Sequence, residues 1–365
     1  FSKNLKNLKI IMHDVFLSAS RIKTAQSCSW KYWSSYVLKL PQKGNDGSSR
    51  GSVCHLVFEL LGKERHRHHY DSIIASGTIH ASKAVTKLVK SYASKLNVAD
   101  DENMELIDTM TVEGLLYDFF GADISKPSED ISEKEFNLVI NEGGKKYKIR
   151  GFIDKLFLYS NEKKALIRDF KTSKQVFKGK EISDNLQNLM YCLAVKKLYP
   201  EYKEVEVEFL FVKFDLSKDL LGNPGKGVLT MERISEEELE GFEYQLSSVQ
   251  EYLENFNEED ACSNFAAEKN YPSDGTFGGP LMCGKHGFKK LRGKYVLDKS
   301  GEKIQSFICE HRKPFDYYAI FNKEGKLLRS VFEEEDVMLA EGEYSEKKTY
   351  EGCPHFKTDD SDIFV

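Results

Sequence analysis

The sequence predicts an α/β protein in which helices flank a mixed central β-sheet. Three observations lead to this prediction. Residues 133–151 and 151–171 alternate apolar and polar positions around turn signals at 142–144 and 161–162, which is the pattern of two consecutive β-hairpins. A helical spacing of apolar residues begins at Ser183, and residues 205–214 form a strongly apolar strand. Because a helix between strands usually joins parallel neighbours, the last strand is expected to complete a mixed sheet.

Composition limits the class of protein. The 365 residues are enough for one large domain with insertions or for two modest domains. The chain contains no run of about eighteen apolar residues, and residues 1–16 lack the apolar centre of a secretory signal, so no membrane association is expected. An odd count of seven cysteines favours a reducing compartment, either the cytoplasm or the nucleoid. A net charge of −5 excludes a strongly basic coat protein of nucleic acid but allows a local positive groove.

The hairpin of residues 151–171 brings three charged side chains together. Asp154 is expected opposite Asp169 on the neighbouring strand, while Asp169 and Lys171 are two residues apart and share a face. Carboxylate oxygens suit hard cations such as Mg²⁺, and a lysine can steady an attacking water or the charge on a phosphate. The cluster therefore has the parts needed for phosphodiester hydrolysis. The alternative is a salt bridge on the solvent side of the hairpin.

Two predicted helices supply further polar residues. His55 lies among apolar residues at helical spacing, where a lone histidine is ordinarily part of the core. Gln187 and Tyr191 are one turn apart on the helix that begins near Ser183, so their side chains share a face. That face can either reach a phosphate or order the strand that carries Asp169.

In combination these elements resemble the PD-(D/E)XK nuclease superfamily, and specifically its RecB-like branch. The match comprises the segment LSASRIKTAQSCSWKYW, a helical histidine, the pattern G-x-x-D followed by D-x-K, and Q-x-x-x-Y, in the family's order. It extends over roughly residues 15–215 and implies a restriction-endonuclease-like core. It also implies that His55, Asp154 and Asp169 hold one or two Mg²⁺ or Mn²⁺ ions, with the backbone carbonyl of Phe170 as an additional ligand.

The resemblance further implies an activity. In such an enzyme Lys171 positions the attacking water, while Gln187 and Tyr191 contact the DNA strand. The implied enzyme is a DNA exonuclease of repair, recombination or replication. Its expected partners are single-stranded DNA or a duplex end, and other replication or recombination proteins. The alternative is a non-catalytic DNA-binding or scaffolding subunit, although a scaffold has no physical need for buried like charges.

The cysteines suggest a second metal centre. Many RecB-like nucleases, notably the AddB type and the CRISPR-adaptation exonucleases, hold an iron-sulfur cluster with one cysteine before the nuclease core and three after it. This chain has the same distribution in Cys28, Cys283, Cys309 and Cys353. Thiolates are the expected ligands of a [4Fe-4S] cluster, whereas the same cysteines with His286, His311 and His355 would suit structural Zn²⁺. Free cysteines are the third alternative.

Four segments follow from these patterns. We expect an N-terminal helical segment over residues 1–62, a helical insertion over 63–130, the nuclease core over 131–260 and a basic, cysteine-containing region over 261–365. The last segment contains a dense basic hairpin, which is either a set of backbone phosphate contacts or a solvated loop. Its basic residues are Lys285, Lys289, Lys290, Arg292 and Lys294.

Overall fold

The computed structural model describes residues 15–117, 119, 126–263, 290–291, 294–297, 301–303 and 309–355. The helices are α1 Ala19–Ser27, α2 Ser29–Tyr32, α3 Asp46–Gly62, α4 His68–Ser76, α5 Lys83–Lys95, α6 Asp101–Leu116, α7 Lys180–Ser183, α8 Leu186–Leu198, α9 Glu236–Glu254 and α10 Glu258–Cys262. The strands are β1 Glu129–Glu142, β2 Lys145–Tyr159, β3 Lys164–Lys171, β4 Glu204–Phe211, β5 Val228–Thr230, β6 Lys290–Leu291, β7 Lys294–Tyr295, β8 Phe315–Asn322, β9 Leu327–Val331 and β10 Glu343–Tyr350. No helix among these residues is long and apolar enough to cross a membrane.

The described residues divide into two compact units. One contains residues 15–19 and 44–251, and the other contains residues 20–43 and those from 252 onward. The first unit is built on a five-stranded sheet in the order β1-β2-β3-β4-β5. Its β3 and β4 are parallel and its other neighbouring strands are antiparallel. The predicted α/β architecture with a mixed sheet and flanking helices is therefore confirmed.

The two predicted hairpins are also confirmed, and their turns explain the register. Gly143 and Gly144 connect β1 to β2 with φ values of 58° and 77°, which glycine adopts without steric cost. From this turn β1 and β2 keep one register as far as Glu129 and Leu158, with Glu133 and Asp154 left out of the pairing. In the second hairpin β2 pairs with β3, from Tyr159 opposite Lys164 to Lys155 opposite Arg168. A single continuous strand, β2, therefore belongs to both hairpins.

Helices α3 to α6 bury their apolar sides in one core together with residues of β3 and β4. Within this core the ring of Phe58 on α3 stacks on the ring of Phe170 on β3, with the centroids 4.1 Å apart. The helix starts at the side chain of Asn45, which accepts a hydrogen bond from the Ser48 N–H at 3.0 Å. The aromatic stack fixes α3 against β3 one helical turn from His55.

Helix α8 joins the parallel strands β3 and β4, as the sequence predicts. Asn185 begins it by accepting hydrogen bonds from the backbone N–H groups of Gln187 and Asn188, which satisfies two of the first unpaired donors of the helix. Met190, Leu193 and neighbouring residues of α8 are buried. This packing presents Gln187 and Tyr191 towards β3.

The second unit has a smaller antiparallel sheet in the order β10-β8-β9 and a core around Trp30, Tyr317 and Tyr350. Within the expected N-terminal helical segment, the structure breaks the helix at Cys28. Cys28 has an extended backbone and its Sγ accepts a hydrogen bond from the Lys31 N–H, so it ends α1 and starts α2 as a cap. A π-helical turn over Trp33–Val37 follows.

Candidate active site

Asp154 lies where the pairing of β2 and β3 stops. The ladder ends at Lys155 and Arg168, so Asp154 and Asp169 occupy the next opposing positions, as the hairpin pattern predicts. In place of another backbone bond, Asp154 Oδ2 accepts a hydrogen bond from the Phe170 N–H at 2.8 Å. A carboxylate therefore replaces the backbone acceptor at this point, and its orientation is fixed by β3.

Asp169 and Lys171 alternate along β3 and meet on one face, again as predicted. The Lys171 Nζ forms an ion pair with Asp169 Oδ1 and donates a hydrogen bond to Gln187 Oε1 at 2.8 Å. Asp169 is only 2% exposed. Burial raises the pKa of the Asp169 carboxyl above its ordinary value, although Lys171 opposes the shift, and the negative charge of Asp154 raises it further. A positive charge beside these two carboxylates is therefore stabilising.

Gln187 and Tyr191 hold this arrangement from α8. Gln187 Nε2 donates to Asp169 Oδ2 at 2.7 Å and lies 2.6 Å from the Tyr191 hydroxyl. The Tyr191 hydroxyl lies 2.8 Å from Asp169 Oδ2 and 3.0 Å from the carbonyl oxygen of Phe152, and it can donate its one proton to either. Of the two roles that the sequence allows for this pair, the contacts correspond to ordering the strands.

His55 reaches the same place from α3. Its Nε2 lies 3.1 Å from the Phe170 carbonyl oxygen, and its Nδ1 lies 3.4 Å from Asp154 Oδ2. The stack of Phe58 on Phe170 accounts for this approach, because Phe58 follows His55 by three residues on the same helix. His55 therefore belongs to the polar cluster, although it also has apolar neighbours.

The electrostatic field at His55 is strongly negative. Burial lowers the pKa of this imidazole, but the hydrogen bond and charge of Asp154 outweigh burial, and the charges of Asp169 and Glu133 add to them, so that the pKa is raised to about 9. As an imidazolium, His55 can donate to both the Asp154 carboxylate and the Phe170 carbonyl. These two acceptors are oxygen atoms of the kind that bind divalent cations.

Glu133 on β1 is the residue that the sequence reasoning missed. Its carboxylate, the Asp154 carboxylate and the His55 ring offer ligand atoms that all lie within 4.8 Å of one another. The neighbouring carboxylate on β1, Glu135, pairs with Phe152 instead. The sequence does contain a signal for Glu133. Counting the same number of residues along each strand from the Gly143–Gly144 turn places residue 133, not 135, opposite Asp154.

The backbone and the charge of Glu133 are both unusual. Its φ is 50°, a left-handed conformation that residues other than glycine seldom adopt within a strand and that costs of order 1–3 kcal/mol. Burial raises its pKa to about 7, and the charge of Asp154 adds to the shift. A carboxylate held here in a strained conformation and close to like charges is a group that a cation would stabilise.

The donor set fits Mg²⁺ or Mn²⁺. His55, Glu133 and Asp154 offer one imidazole nitrogen and two carboxylates, the backbone oxygen of Phe170 lies beside His55, and the Asp169 carboxylate holds the position opposite Asp154 on β3. Hard oxygen donors are the ligands that both ions prefer, and an imidazole suits Mn²⁺ as well. Among the residues that the structure describes, His55, Glu133 and Asp154 are the group whose ligand atoms converge closely enough for one ion.

The predicted cysteine centre is described only in part, because Cys283 lies outside the described residues, as does His286. Cys28, Cys309 and Cys353 belong to the same compact unit, and Cys28 and Cys353 pack against its core. Burial raises the pKa of Tyr350, a residue of the same core. Within the described ranges, no three of the candidate cysteine and histidine ligands converge as closely as the group around His55.

The predicted basic hairpin is also described in part. Strands β6 and β7 pair antiparallel, which gives the expected hairpin, and the side chain of Lys294 is exposed. Lys290 lies on β6. Lys285, Lys289 and Arg292 fall outside the described residues.

Comparison with known proteins decides the family. Residues 16–283, most of the chain, match the family model of the PD-(D/E)XK nuclease superfamily. The chain belongs to this superfamily. Its members are typically metal-dependent nucleases that use Mg²⁺ or Mn²⁺ and act on nucleic acid, and the donor set around Asp154 agrees with that chemistry.

Solved structures give more distant similarities. The chain is similar to the crystal structure of SSO0001, with 15% identity and a TM-score of 0.25, over 47% of this chain and 74% of that one. It is also similar to the crystal structure of protein VC1899 from Vibrio cholerae, with 11% identity and a TM-score of 0.21, over 54% of this chain and 48% of that one. The comparison with curated proteins gives no match.

Proposed function

We propose that this member of the superfamily is a Mg²⁺- or Mn²⁺-dependent exodeoxyribonuclease of the RecB-like branch that acts on DNA ends in repair, recombination or replication. One observation carries the proposal. Asp154 and the Phe170 carbonyl meet at His55, Asp169 holds the position opposite Asp154 on β3, and Lys171 forms an ion pair with Asp169. This is the set of groups that hydrolysis of a phosphodiester requires.

Hydrolysis adds water across one phosphorus–oxygen ester bond and leaves a phosphate monoester and a hydroxyl. A bound divalent ion would lower the pKa of the attacking water and offset phosphate charge. His55, Asp154, Asp169 and the Phe170 carbonyl would hold it, with Glu133 as a further carboxylate. Lys171 lies at the edge of this group, where its ammonium would orient the water and stabilise the charge that develops on the phosphate.

Gln187 and Tyr191 act as positioning residues in this scheme. Gln187 bridges Asp169 and Lys171, so it sets the distance between a ligand and the ammonium that works beside it. The Tyr191 hydroxyl lies within hydrogen-bond distance of both Asp169 and the Phe152 carbonyl, at the point where β2 and β3 stop pairing. The same Q-x-x-x-Y spacing is the feature that supports assignment to the RecB-like branch.

The test is digestion of end-labelled single-stranded, duplex and circular DNA, with RNA as a comparison, in Mg²⁺, in Mn²⁺ and in EDTA. We expect metal-dependent loss of linear DNA from an end, with circular DNA resistant. Asp169→Ala and Lys171→Ala should abolish cleavage while DNA binding persists. Lys164→Ala is the matched control, because Lys164 pairs with Glu206 at the opposite end of β3. Cleavage of circles would indicate an endonuclease, and unchanged turnover in either variant would refute the assigned roles.

We also propose that Cys28, Cys283, Cys309 and Cys353 hold a [4Fe-4S] cluster, with structural Zn²⁺ as the alternative. Three of the four lie in one compact unit, which supports a shared site. Protein purified without oxygen should be brown, with about four irons per chain. Bound zinc without colour would favour the alternative, and the absence of both metals would leave ordinary thiols.

A further inference from the structure

The hairpin of β1 and β2 presents one exposed face beside the candidate active site. Along β2, Arg150, Phe152 and Asp154 alternate with buried or half-buried residues, so their side chains share that face. Phe152 is 56% exposed and stands one side-chain step from Asp154, a distance of roughly 7 Å along the strand. A single exposed phenylalanine is ordinary on a protein surface, but its place next to the proposed metal ligand is informative.

The backbone beneath this ring is held rigidly. The Phe152 carbonyl is tied to the Tyr191 hydroxyl at 3.0 Å, and Phe152 pairs with Glu135 of β1. Gly151, just before it, lies so close to the Phe136 ring that an added Cβ would come within 2.5 Å of it. The ring of Phe152 therefore projects from a fixed point of the same framework that positions Asp169.

The charge along this face changes from acidic near Asp154 to basic at Arg150. Beyond Phe152, the exposed Arg150 has its guanidinium 5.8 Å from the centre of the Phe16 ring. Glu135, which pairs with Phe152, places a negative charge beside the ring and disfavours a phosphate there. Three neighbouring groups on this face therefore suit three parts of a nucleic acid strand. The proposed ion site at Asp154 suits one phosphate, the Phe152 ring suits an uncharged base, and the Arg150 guanidinium suits the next phosphate.

We infer that Phe152 stacks on the base next to the scissile phosphate of a single-stranded nucleic acid and that Arg150 contacts the backbone beyond it. This inference rests on the proposed nuclease function and specifies its substrate class. Stacking on a side chain requires an unpaired base whose face is accessible, which a single strand or a frayed end provides and an intact duplex does not. Arginine supplies the sequence-independent phosphate contact.

The experiment combines variants with substrates that lack one base. Short single strands, each with one abasic nucleotide at a different distance from the labelled end, are bound in Ca²⁺ and cleaved in Mg²⁺. For the wild-type protein, the abasic site that falls on Phe152 should weaken binding about 5- to 150-fold. Phe152→Ala should weaken binding of the intact strand by a similar factor and be insensitive to that abasic position, while Phe152→Trp should restore both affinity and sensitivity.

The matched control is Tyr244→Ala, which removes an aromatic ring that is 50% exposed on α9. It should change neither the affinity nor the abasic profile. If affinity depends on the position of the abasic nucleotide in the same way for the wild-type protein and Phe152→Ala, the inference is overturned, even if both proteins cleave DNA normally. If the wild-type protein neither binds nor cleaves any nucleic acid, the proposed function itself fails, so the two failures are distinguishable.

Discussion

Divalent-ion binding at this site should compete with a proton on His55. The imidazole lies between the Asp154 carboxylate and the Phe170 carbonyl, two groups that the proposed ion also needs. Its pKa is raised to about 9, because Asp154, Asp169 and Glu133 together outweigh the effect of burial. A histidine must lose its proton before its nitrogen binds a metal, so ion binding at neutral pH should release a proton.

The size of the effect follows from the pKa. A shift from 6.5 to about 9 corresponds to at most about 3 kcal/mol of interaction between the imidazolium and the site, and less after allowance for its 32% exposed side chain. At pH 7 about 99% of the molecules carry this proton, so apparent ion affinity should be about a hundredfold weaker than at alkaline pH. At pH 8 about 0.9 proton should be released from His55 per bound ion.

Calorimetry in buffers with different ionisation enthalpies counts these protons. We expect close to one proton released when Mn²⁺ binds the wild-type protein at pH 8, since Glu133, with a pKa of about 7, is then mostly ionised. The variant His55→Gln should bind the ion more weakly and release almost none. His80→Gln changes an exposed histidine and serves as the control.

The metal-free protein gives a second readout. Because the pKa of His55 is higher in the folded state, its stabilising effect is fully present below pH 6.5 and is lost as the pH rises through about 9. The Tm in EDTA should therefore fall over this range more steeply for the wild-type protein than for His55→Gln. Equal proton release by both proteins, or an ion affinity that does not change between pH 7 and 9, would refute the placement of His55 in the ion site.

Three further predictions concern the framework of the site. Tyr191→Phe should lower kcat/KM about 10- to 100-fold in single-turnover assays and lower the free energy of unfolding by only about 1–2 kcal/mol, since it removes the hydroxyl that links Asp169 to β2. Glu133→Gln should weaken Mn²⁺ binding about tenfold by calorimetry, whereas Glu135→Gln should leave it unchanged; equal effects would exclude a special role for position 133. Gly51→Ala should lower the free energy of unfolding by about 1–3 kcal/mol in urea titrations, because the new Cβ would lie 2.6 Å from Thr172 Oγ1. Gly241 in α9 has open space for a Cβ, so Gly241→Ala should raise the free energy of unfolding by up to about 1 kcal/mol. A lower free energy of unfolding for Gly241→Ala would contradict the packing argument.

Local sequence patterns determined the elements on which the site is built. Alternation and turn residues predict both hairpins, and the register that follows places Asp154 opposite Asp169 and puts Lys171 on the face of Asp169. Helical spacing places Gln187 and Tyr191 on one face of α8. These relations depend only on the periods of strand and helix and on the positions of the turns, so a single sequence contains them.

Only the tertiary structure decided which groups from distant segments join them. His55 is 115 residues from Phe170 along the chain, and its ring meets that carbonyl because Phe58 stacks on Phe170. Packing between elements also produces the left-handed backbone of Glu133, the burial of Asp169 and the raised pKa of His55. Spacing in a sequence fixes neighbours within an element, whereas distances between elements, and the fields that their charges produce, depend on how the core packs.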